Sequence, residues 1–326
     1  MEIYDFKTKE LIDVQKSKAF FTKNINDKHI VICQDGEINI IKKFYKISES
    51  NLEKTNIIDE TVRYTKYVNY HFLSLILIDE NKKKNEINLF FSSNWLIIEY
   101  DSKKNKKMSS VMKKFHSNIE KRIGEMLKNK NDNIVSKGLH IVMSSFIFEN
   151  SVLLEKYEND IETLQNKVLV KIDETLLDEI IAYRNNLYNI RKHLRATKNI
   201  PLFSEDNNDI GMSSNIFLMF KNIRTRVHEL FEQSNDMLLY SNRLISILDT
   251  KLNTKTNLVI TRLTIITVLI GVATVVVSYF GMNFGGEGNY FSSPWGWLVI
   301  FIALVVFLLV SIFILKKRKS NTKLTS

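Results

Sequence analysis

The chain has 326 residues and a formal net charge of +10, from 46 Lys and Arg against 36 Asp and Glu. Its one cysteine, Cys33, excludes an internal disulfide and a thiolate zinc site, and its apolar surroundings predict a role in buried packing. Basic residues alternate with acidic ones along predicted helices, which favours solvated helix faces near an anionic membrane surface over nucleic-acid binding.

The N-terminal part of the chain contains three β-like runs, at 29–45, 67–79 and 86–100. The first run includes the turn signal Asp35-Gly36, and the second and third runs are joined by the short polar link 80–85, which predicts a β-hairpin. Residues 1–28 are polar and mixed in charge, so no signal segment is expected before the strands. We therefore expect an α/β domain in the cytoplasm.

The periodicity becomes helical after Met108. Apolar residues at helical spacing predict two long cytoplasmic helices, around 144–169 and 176–196. The segment 197–214 is rich in Asn, Asp and Ser and contains a proline, so it should end the second of these helices.

A much longer helix is predicted to follow. Ser213 or Ser214 can serve as its N-cap. Beyond them Gly271 is the only glycine before Gly281, and there is no proline. At a rise of about 1.5 Å per residue this helix would be on the order of 100 Å long. A helix of that length is not stable alone, so it needs partners along its sides.

Two uncharged runs, residues 263–280 and 298–315, are each 18 residues long, which is enough to cross a bilayer as helices. Arg262 precedes the first run and the basic residues 316–319 follow the second, whereas the intervening loop has no Lys or Arg. Because basic flanks stay in the cytoplasm, this pattern predicts a hairpin in the cell membrane with both termini cytoplasmic. The alternative is a pair of buried core helices in a soluble domain, which would not require this charge asymmetry.

The predicted organisation follows from these segments. Its parts are an N-terminal α/β cytoplasmic domain (1–105), a cytoplasmic helical region (106–212), a stalk helix (213–256), a first membrane helix (257–280), an extracytoplasmic loop (281–296), a second membrane helix (297–315) and a basic cytoplasmic tail (316–326). The expected fold class is an α+β cytoplasmic domain whose long stalk helix continues into a C-terminal two-helix membrane hairpin.

One face of the first membrane helix, which we call the polar seam, carries small or uncharged polar residues at spacings of three and four. The seam comprises Asn257, Ile260, Thr264, Thr267, Gly271, Thr274 and Ser278. Two interpretations stay open from these residues alone. Small residues and hydroxyls allow close helix packing in lipid. The same residues would also suit a wet pathway lined by weak oxygen ligands.

The tripeptide Gly281-Met282-Asn283 follows Phe280 directly, at the outer end of the first uncharged run. In this position it resembles the signature of the CorA family of magnesium transport proteins. Further segments that are similar to the family are 86–100, 149–169, 187–194 and 257–267. The resemblance implies a homopentamer with a funnel-shaped cytoplasmic domain, in which the first membrane helices surround the pore.

By this resemblance Gly281, Met282 and Asn283 form the ion selectivity loop. Mg²⁺ gives up its waters reluctantly, so the amide oxygen of Asn283 would accept hydrogen bonds from the waters of a hydrated ion. The implied pore-lining residues are Asn257, Thr264, Thr267, Gly271, Thr274 and Ser278. Magnesium is then the transported ion, and no resident cofactor is expected.

Two departures from the family pattern affect ion capture and regulation. Many members carry an acidic tract after the tripeptide, but this loop has only Glu287, so cation capture at the mouth should be weaker. Members often sense cytoplasmic Mg²⁺ through acidic residues between subunits, whereas the stalk segment 220–230 offers mostly basic side chains and Glu229. Its basic residues are Lys221, Arg224, Arg226 and His228. Asp79 or Glu80 could pair with them, and closure should depend only weakly on cytoplasmic Mg²⁺.

The expected function is entry of Mg²⁺, with Co²⁺ or Ni²⁺ as further ions, through a pore of identical subunits. An inside-negative potential of about 100 mV favours entry of a divalent cation by roughly 4.6 kcal/mol. A zinc transporter of the same superfamily is one alternative, and a membrane-anchored coiled-coil scaffold is another. No enzyme is expected, because the chain has no Walker loop and no Gly-x-Ser-x-Gly motif, and its six histidines lack paired metal spacing.

Overall fold

The structure is a computed structural model. It describes residues 1–13, 20–21, 27–34, 37–47, 62–79, 82–101, 109–128, 133–170, 173, 175–201 and 214–281, together with 298, 302 and 305. The chain forms two compact units, Met1–Leu248 and Asp249–Ser326.

Within its described residues, the first unit contains a sheet of seven strands. The strands are β1 (Glu2–Asp5), β2 (Glu10–Asp13), β3 (His29–Gln34), β4 (Arg63–Lys66), β5 (His71–Ile78), β6 (Lys84–Phe91) and β7 (Trp95–Asp101). Their order in the sheet is β2-β1-β3-β7-β6-β5-β4. Only β3 and β7 pair in parallel, and every other neighbouring pair is antiparallel.

The hairpin predicted around the link 80–85 is confirmed by the pairing of β5 with β6, in which His71 lies opposite Phe91 and Ile78 opposite Lys84. The amide of Asp79 donates to the carbonyl of Lys83 at 2.9 Å and closes the turn. The Asp79 carboxylate in turn accepts from the Lys83 amide at 2.8 Å. The turn is therefore held by both the backbone and the side chain of Asp79.

The sequence interpretation was wrong in part for the first β-like run. Only the beginning of the run 29–45 is a strand, because a short helix, α1 (Ile38–Ile41), follows β3. A helical turn places both Ile38 and Ile41 in the core, which an alternating strand would not do. The run 86–100 is two strands, because the amide of Ser92 donates to the carbonyl of Trp95 and closes a turn. The predicted turn residues Asp35 and Gly36 lie outside the described residues.

In the described part of the chain, four longer helices follow the sheet. They are α2 (Ser110–Lys128), α3 (Ile134–Val170), α4 (Thr175–Lys198) and α5 (Ser214–Gly281). The last has 68 residues, and it begins and ends where the absence of glycine and proline predicts. The predicted α+β domain with a long helix is thereby confirmed. Of the predicted second membrane helix, only residues 298, 302 and 305 are described, and they are helical.

The hydrophobic core lies on both faces of the sheet. One face, which includes Leu73 and Leu89, packs against Phe115 of α2 and Phe146 of α3. Phe220, Ile223 and Val227 at the start of α5 belong to the same cluster. The other face forms a second cluster that includes α1 and the buried Cys33. Burial of Cys33 confirms its predicted packing role, and this burial raises the pKa of its thiol.

Candidate functional site

The C-terminal half of α5 has the composition and exposure of a membrane helix. Within Leu218–Val275 an 18-residue stretch has a mean hydropathy of 2.2, and none of it is buried. No other helix in the described part of the chain is long and apolar enough to cross a membrane. A core helix of a soluble domain would be mostly buried, so that alternative does not fit this helix. The exposed apolar side chains require lipid or partner helices around them.

The polar seam lies on this helix. Asn257, Thr264, Thr267, Gly271, Thr274 and Ser278 are all helical and exposed. The hydroxyls of Thr264 and Thr267 each donate to a backbone carbonyl four residues earlier at 2.9 Å, and that of Thr274 does so at 2.8 Å. Such bonds satisfy the hydroxyl hydrogen within the helix itself, which is how threonine is accommodated in a membrane helix.

These hydrogen bonds within the helix determine which hydrogen-bonding groups the seam presents to a neighbouring molecule. Each threonine hydroxyl has one hydrogen and two acceptor lone pairs, and the hydrogen of these three hydroxyls is already used. What remains for a neighbour is acceptor capacity. A hydrated cation presents the hydrogens of its waters outward, so an acceptor surface is the complementary one. The same bonds are equally compatible with close helix packing.

Gly271 lies in the middle of the polar seam. A Cβ atom built at this position would meet no heavy atom within 4 Å. The described residues of the chain therefore leave room for a larger side chain here.

The implied selectivity loop lies at the end of α5. Gly281 is the last residue of the helix. Met282, Asn283 and Glu287 lie outside the described residues, so their roles stay predictions. The tripeptide therefore begins at the last residue of α5.

An ion sensor in the first unit would need several metal-binding side chains close together. Among the residues that the structure describes, no group of three or more His, Cys, Asp or Glu side chains is arranged to hold a metal ion. The basic residues of 221–228 are exposed, and His228 is paired with Glu232, with Nδ1 3.5 Å from a carboxylate oxygen. Asp79 is buried in the β5–β6 turn, so within one chain it caps that turn instead of pairing with 221–228. Glu80 lies outside the described residues.

Sequence reasoning missed a cavity of about 480 Å³ between α3 and α5 in the first unit. Three acidic residues line it, namely Glu158, Glu162 and Asp236, together with Arg243. The amide of Gln233 donates to Glu158 at 3.3 Å across the cavity edge. The acidic residues come from distant parts of the chain, so no local motif signalled their proximity.

Comparison with known proteins gives a consistent result. The sequence profile of a family described as "CorA-like Mg2+ transporter protein" matches residues 29–318. A search of curated proteins by sequence finds no match.

Solved structures show the same fold. The chain is similar to the complete CorA magnesium transporter of Methanocaldococcus jannaschii, with a TM-score of 0.73 and 17% identity over 88% of this chain and 89% of that one. It is similar to the full-length CmaX protein, with a TM-score of 0.66 and 10% identity over 97% and 96% of the two chains. The cytoplasmic domain of ZntB from Vibrio parahaemolyticus RIMD 2210633 gives a TM-score of 0.55 and 14% identity, over 79% of this chain and 98% of that domain. At these identities the likeness concerns the fold.

Proposed function

The chain belongs to the CorA-like Mg²⁺ transporter family, a family of divalent cation transporters, and we propose that it admits Mg²⁺ down the membrane potential through a pore formed by identical subunits. The observation that carries the proposal is the family match, because it runs from 29 to 318 and includes the stalk, the polar seam and the tripeptide. Co²⁺ and Ni²⁺ are proposed as further ions.

The proposed mechanism keeps the ion hydrated. Mg²⁺ holds its waters in an octahedron and releases them reluctantly, so the mouth of the pore must bind the waters instead of the ion. In our proposal the amide oxygen of Asn283 accepts hydrogen bonds from these waters. Gly281 lets the backbone turn out of the helix, and Met282 packs the turn against neighbouring subunits. Glu287 supplies the acidic charge of the loop.

On the cytoplasmic side of the pore mouth, the polar seam would continue this surface of hydrogen-bond acceptors. The threonine hydroxyls of the seam are acceptors toward a neighbour because their hydrogens bond the helix. Asn257 and Ser278, at the two ends of the seam, add further polar groups. Weak neutral acceptors bind an ion loosely enough for it to leave, as conduction requires.

The proposed assembly is a homopentamer in the plasma membrane, with the seams around a common axis. Both termini are cytoplasmic in this proposal, and 281–296 is exposed outside. Support comes from Arg262 at the inner end of the first span and from the basic tail 316–326. The inside-negative potential then drives entry with roughly 4.6 kcal/mol per divalent ion at about 100 mV.

The test is uptake of Mg²⁺ into liposomes by the purified full chain and its variants. Asn283→Ala should abolish uptake and leave the oligomeric state unchanged, because in this proposal the amide binds hydrated ions and does not support the assembly. Asn289→Ala is the matched control, since it changes the same kind of side chain in the same loop and should transport normally. Normal uptake by Asn283→Ala would refute the assignment of the selectivity loop.

The same liposomes separate the alternatives. Parallel measurements with Zn²⁺ and Co²⁺ give the ion preference of the wild type. Preferred uptake of Zn²⁺ would identify a zinc transporter, while the absence of uptake for every ion would favour a membrane-anchored scaffold.

A further inference from the structure

One side of α4 carries a line of basic residues around an exposed tyrosine. The line comprises Arg184, Tyr188, Arg191, Arg195 and Lys198. These residues alternate at spacings of four and three, so they lie on one side of the helix, and we call them the basic stripe. Tyr188 in the middle is 57% exposed, and Arg195 is exposed as well. Four cations and an aromatic ring are therefore presented together on the surface of the first unit.

Phe231 of α5 holds the basic stripe in place. The guanidinium of Arg191 lies 5.8 Å from the centre of the Phe231 ring, and the ammonium group of Lys198 lies 5.0 Å from it. These cation–π contacts attach the stripe to the side of α5. The Lys198 ammonium group is also 4.0 Å from a carboxylate oxygen of Glu232.

The other two arginines of the stripe are available to a partner. Among the described residues, neither Arg184 nor Arg195 forms an ion pair or a hydrogen bond. A guanidinium presents five hydrogen-bond donors in a plane that matches a carboxylate. Arginine and tyrosine are also the residue types that are enriched in protein interfaces. The composition of the stripe thus suits contact with an acidic protein surface.

The cavity of about 480 Å³ between α3 and α5, which we call the acidic groove, has the complementary charge. Its carboxylates belong to Glu158, Glu162 and Asp236, and all three side chains are exposed. Arg243 is the one basic residue among those that line the groove, so negative charge is in excess. Leu239, which is 52% exposed, adds an apolar surface on which an aromatic ring can pack.

The stripe and the groove lie on opposite sides of α5. The buried side of this helix includes Leu230 and Ser234. Phe231, which contacts the stripe, directly follows Leu230, and Gln233, which contacts the groove, directly precedes Ser234. Successive helical residues are rotated by about 100°, so these two side chains flank the buried side on opposite edges. Phe231 and Asp236 of the groove are five residues apart, which is about 7.5 Å along the axis.

We propose that the basic stripe of one copy of the chain binds in the acidic groove of the next copy. In this contact Tyr188 enters the groove, and the arginines of the stripe pair with its carboxylates. Each copy then uses its stripe toward one neighbour and its groove toward the other, so the contact repeats around a ring. A two-fold contact would instead place like charges together. The inference rests on the proposed assembly of identical subunits and adds which surfaces of the first unit meet.

Cross-linking of full-length chains in mild detergent detects this contact. Two chains with Cys33→Ser and different affinity tags are co-expressed, and one carries Tyr188→Cys in the stripe while the other carries Leu239→Cys in the groove. A short bismaleimide should join the two chains to each other and should give no product when either is expressed alone. Thr163→Cys in place of Leu239→Cys is the control. Thr163 lines the other cavity of α3, which lies toward α4, so it should give no product.

Charge reversal tests the cause of the contact. Arg184→Glu together with Arg195→Glu in the stripe-labelled chain should lower the yield of cross-linked product roughly tenfold, because carboxylates would then face carboxylates. Adding Glu162→Arg and Asp236→Arg to the groove-labelled chain should restore the yield. Neither of these acidic residues forms an ion pair or a hydrogen bond with a described residue, so their reversal leaves the fold of each copy intact. Glu158 is kept because a glutamine donates to it.

Four outcomes would overturn the proposal. A product from the stripe-labelled chain alone would show that the stripe meets its own equivalent, and an equal yield after charge reversal would show that charge does not hold the contact. A product that needs Mg²⁺ and is lost with a chelator would show that an ion occupies the groove. Oligomers without the cross-link would remove this contact and leave the proposed pore, whereas a chain that stays monomeric would remove both.

Discussion

Two glycines within helices, Gly138 in α3 and Gly124 in α2, provide a test of how closely α3 packs against the sheet. A Cβ atom at Gly138 of α3 would lie 2.8 Å from Cδ1 of Ile30 and 2.8 Å from Cδ2 of Leu96. Ile30 and Leu96 are register partners on β3 and β7, and neither is exposed. A Cβ atom at Gly124 of α2 would meet nothing within 4 Å. Both substitutions, Gly138→Ala and Gly124→Ala, add one methyl group to a helix. They differ in what this methyl group contacts.

The expected magnitudes follow from this difference. Alanine favours a helix over glycine by about 1 kcal/mol, so Gly124→Ala should stabilise the first unit by roughly that amount. At Gly138 the same gain is opposed by overpacking, which costs about 1–3 kcal/mol in a close-packed core. We expect Gly138→Ala to lie between neutral and about 2 kcal/mol destabilising. The two variants should differ by about 1–3 kcal/mol, which is several degrees in melting temperature.

A double variant tests the cause. Ile30→Val removes Cδ1, one of the two atoms that the new methyl would meet. Alone it should cost about 0.5–1.5 kcal/mol, but combined with Gly138→Ala it should cost less than the sum of the two. Thermal unfolding of all four proteins in one detergent gives the coupling. Equal stability of Gly124→Ala and Gly138→Ala would refute the reasoning, because the helix-to-sheet distance would then not depend on Gly138.

Further predictions concern transport. Gly271→Leu should reduce oligomer yield or Mg²⁺ uptake, both measurable on the purified protein, because the described residues leave room for the side chain and a neighbouring subunit packed against the seam would clash with it. Single cysteines added to a Cys33→Ser chain should react with an impermeant thiol reagent on intact cells within 281–296 and not at the C terminus. Conductance should fall only weakly as cytoplasmic Mg²⁺ rises through the millimolar range, and steep closure would reveal a sensor.

The sequence predicted the long elements of the fold well. The hairpin of β5 and β6 was predictable because both strands are long, apolar and joined by a polar link. The bounds of α5 were predictable because Ser214 and Gly281 mark the ends of a run without helix breakers other than Gly271. These signals are local, so no tertiary information was needed.

The short strands could not be predicted. β1, β2 and β4 have four residues each and carry charged side chains, so their sequences give little strand signal. They are strands because a neighbouring strand pairs with them in the sheet. The segment after β3 was wrongly predicted to be β-like. Burial of Ile38 and Ile41 on one side favours a helical turn there.

For the candidate site, sequence patterns indicated the seam but not the contacts made across the fold. The seam is periodic along one helix, and its residues are helical and exposed as expected. The proximity of Glu158 to Asp236 arises from packing of segments that are distant in the chain. No local pattern can carry that information.

The two exposed faces of α5 require different surroundings. Leu263, Ile266 and Ile270 are each more than half exposed, and lipid tails would cover them favourably. The seam residues are exposed as well, but lipid offers no donor to the free acceptor capacity of the Thr264 and Thr267 hydroxyls. An isolated helix in a bilayer cannot satisfy both faces at once. An assembly with the apolar face outward and the seam toward other copies satisfies both, and water or hydrated ions along its axis would supply the missing donors. The seam thus favours association with another polar surface, which either close helix packing or a water-filled pore would provide.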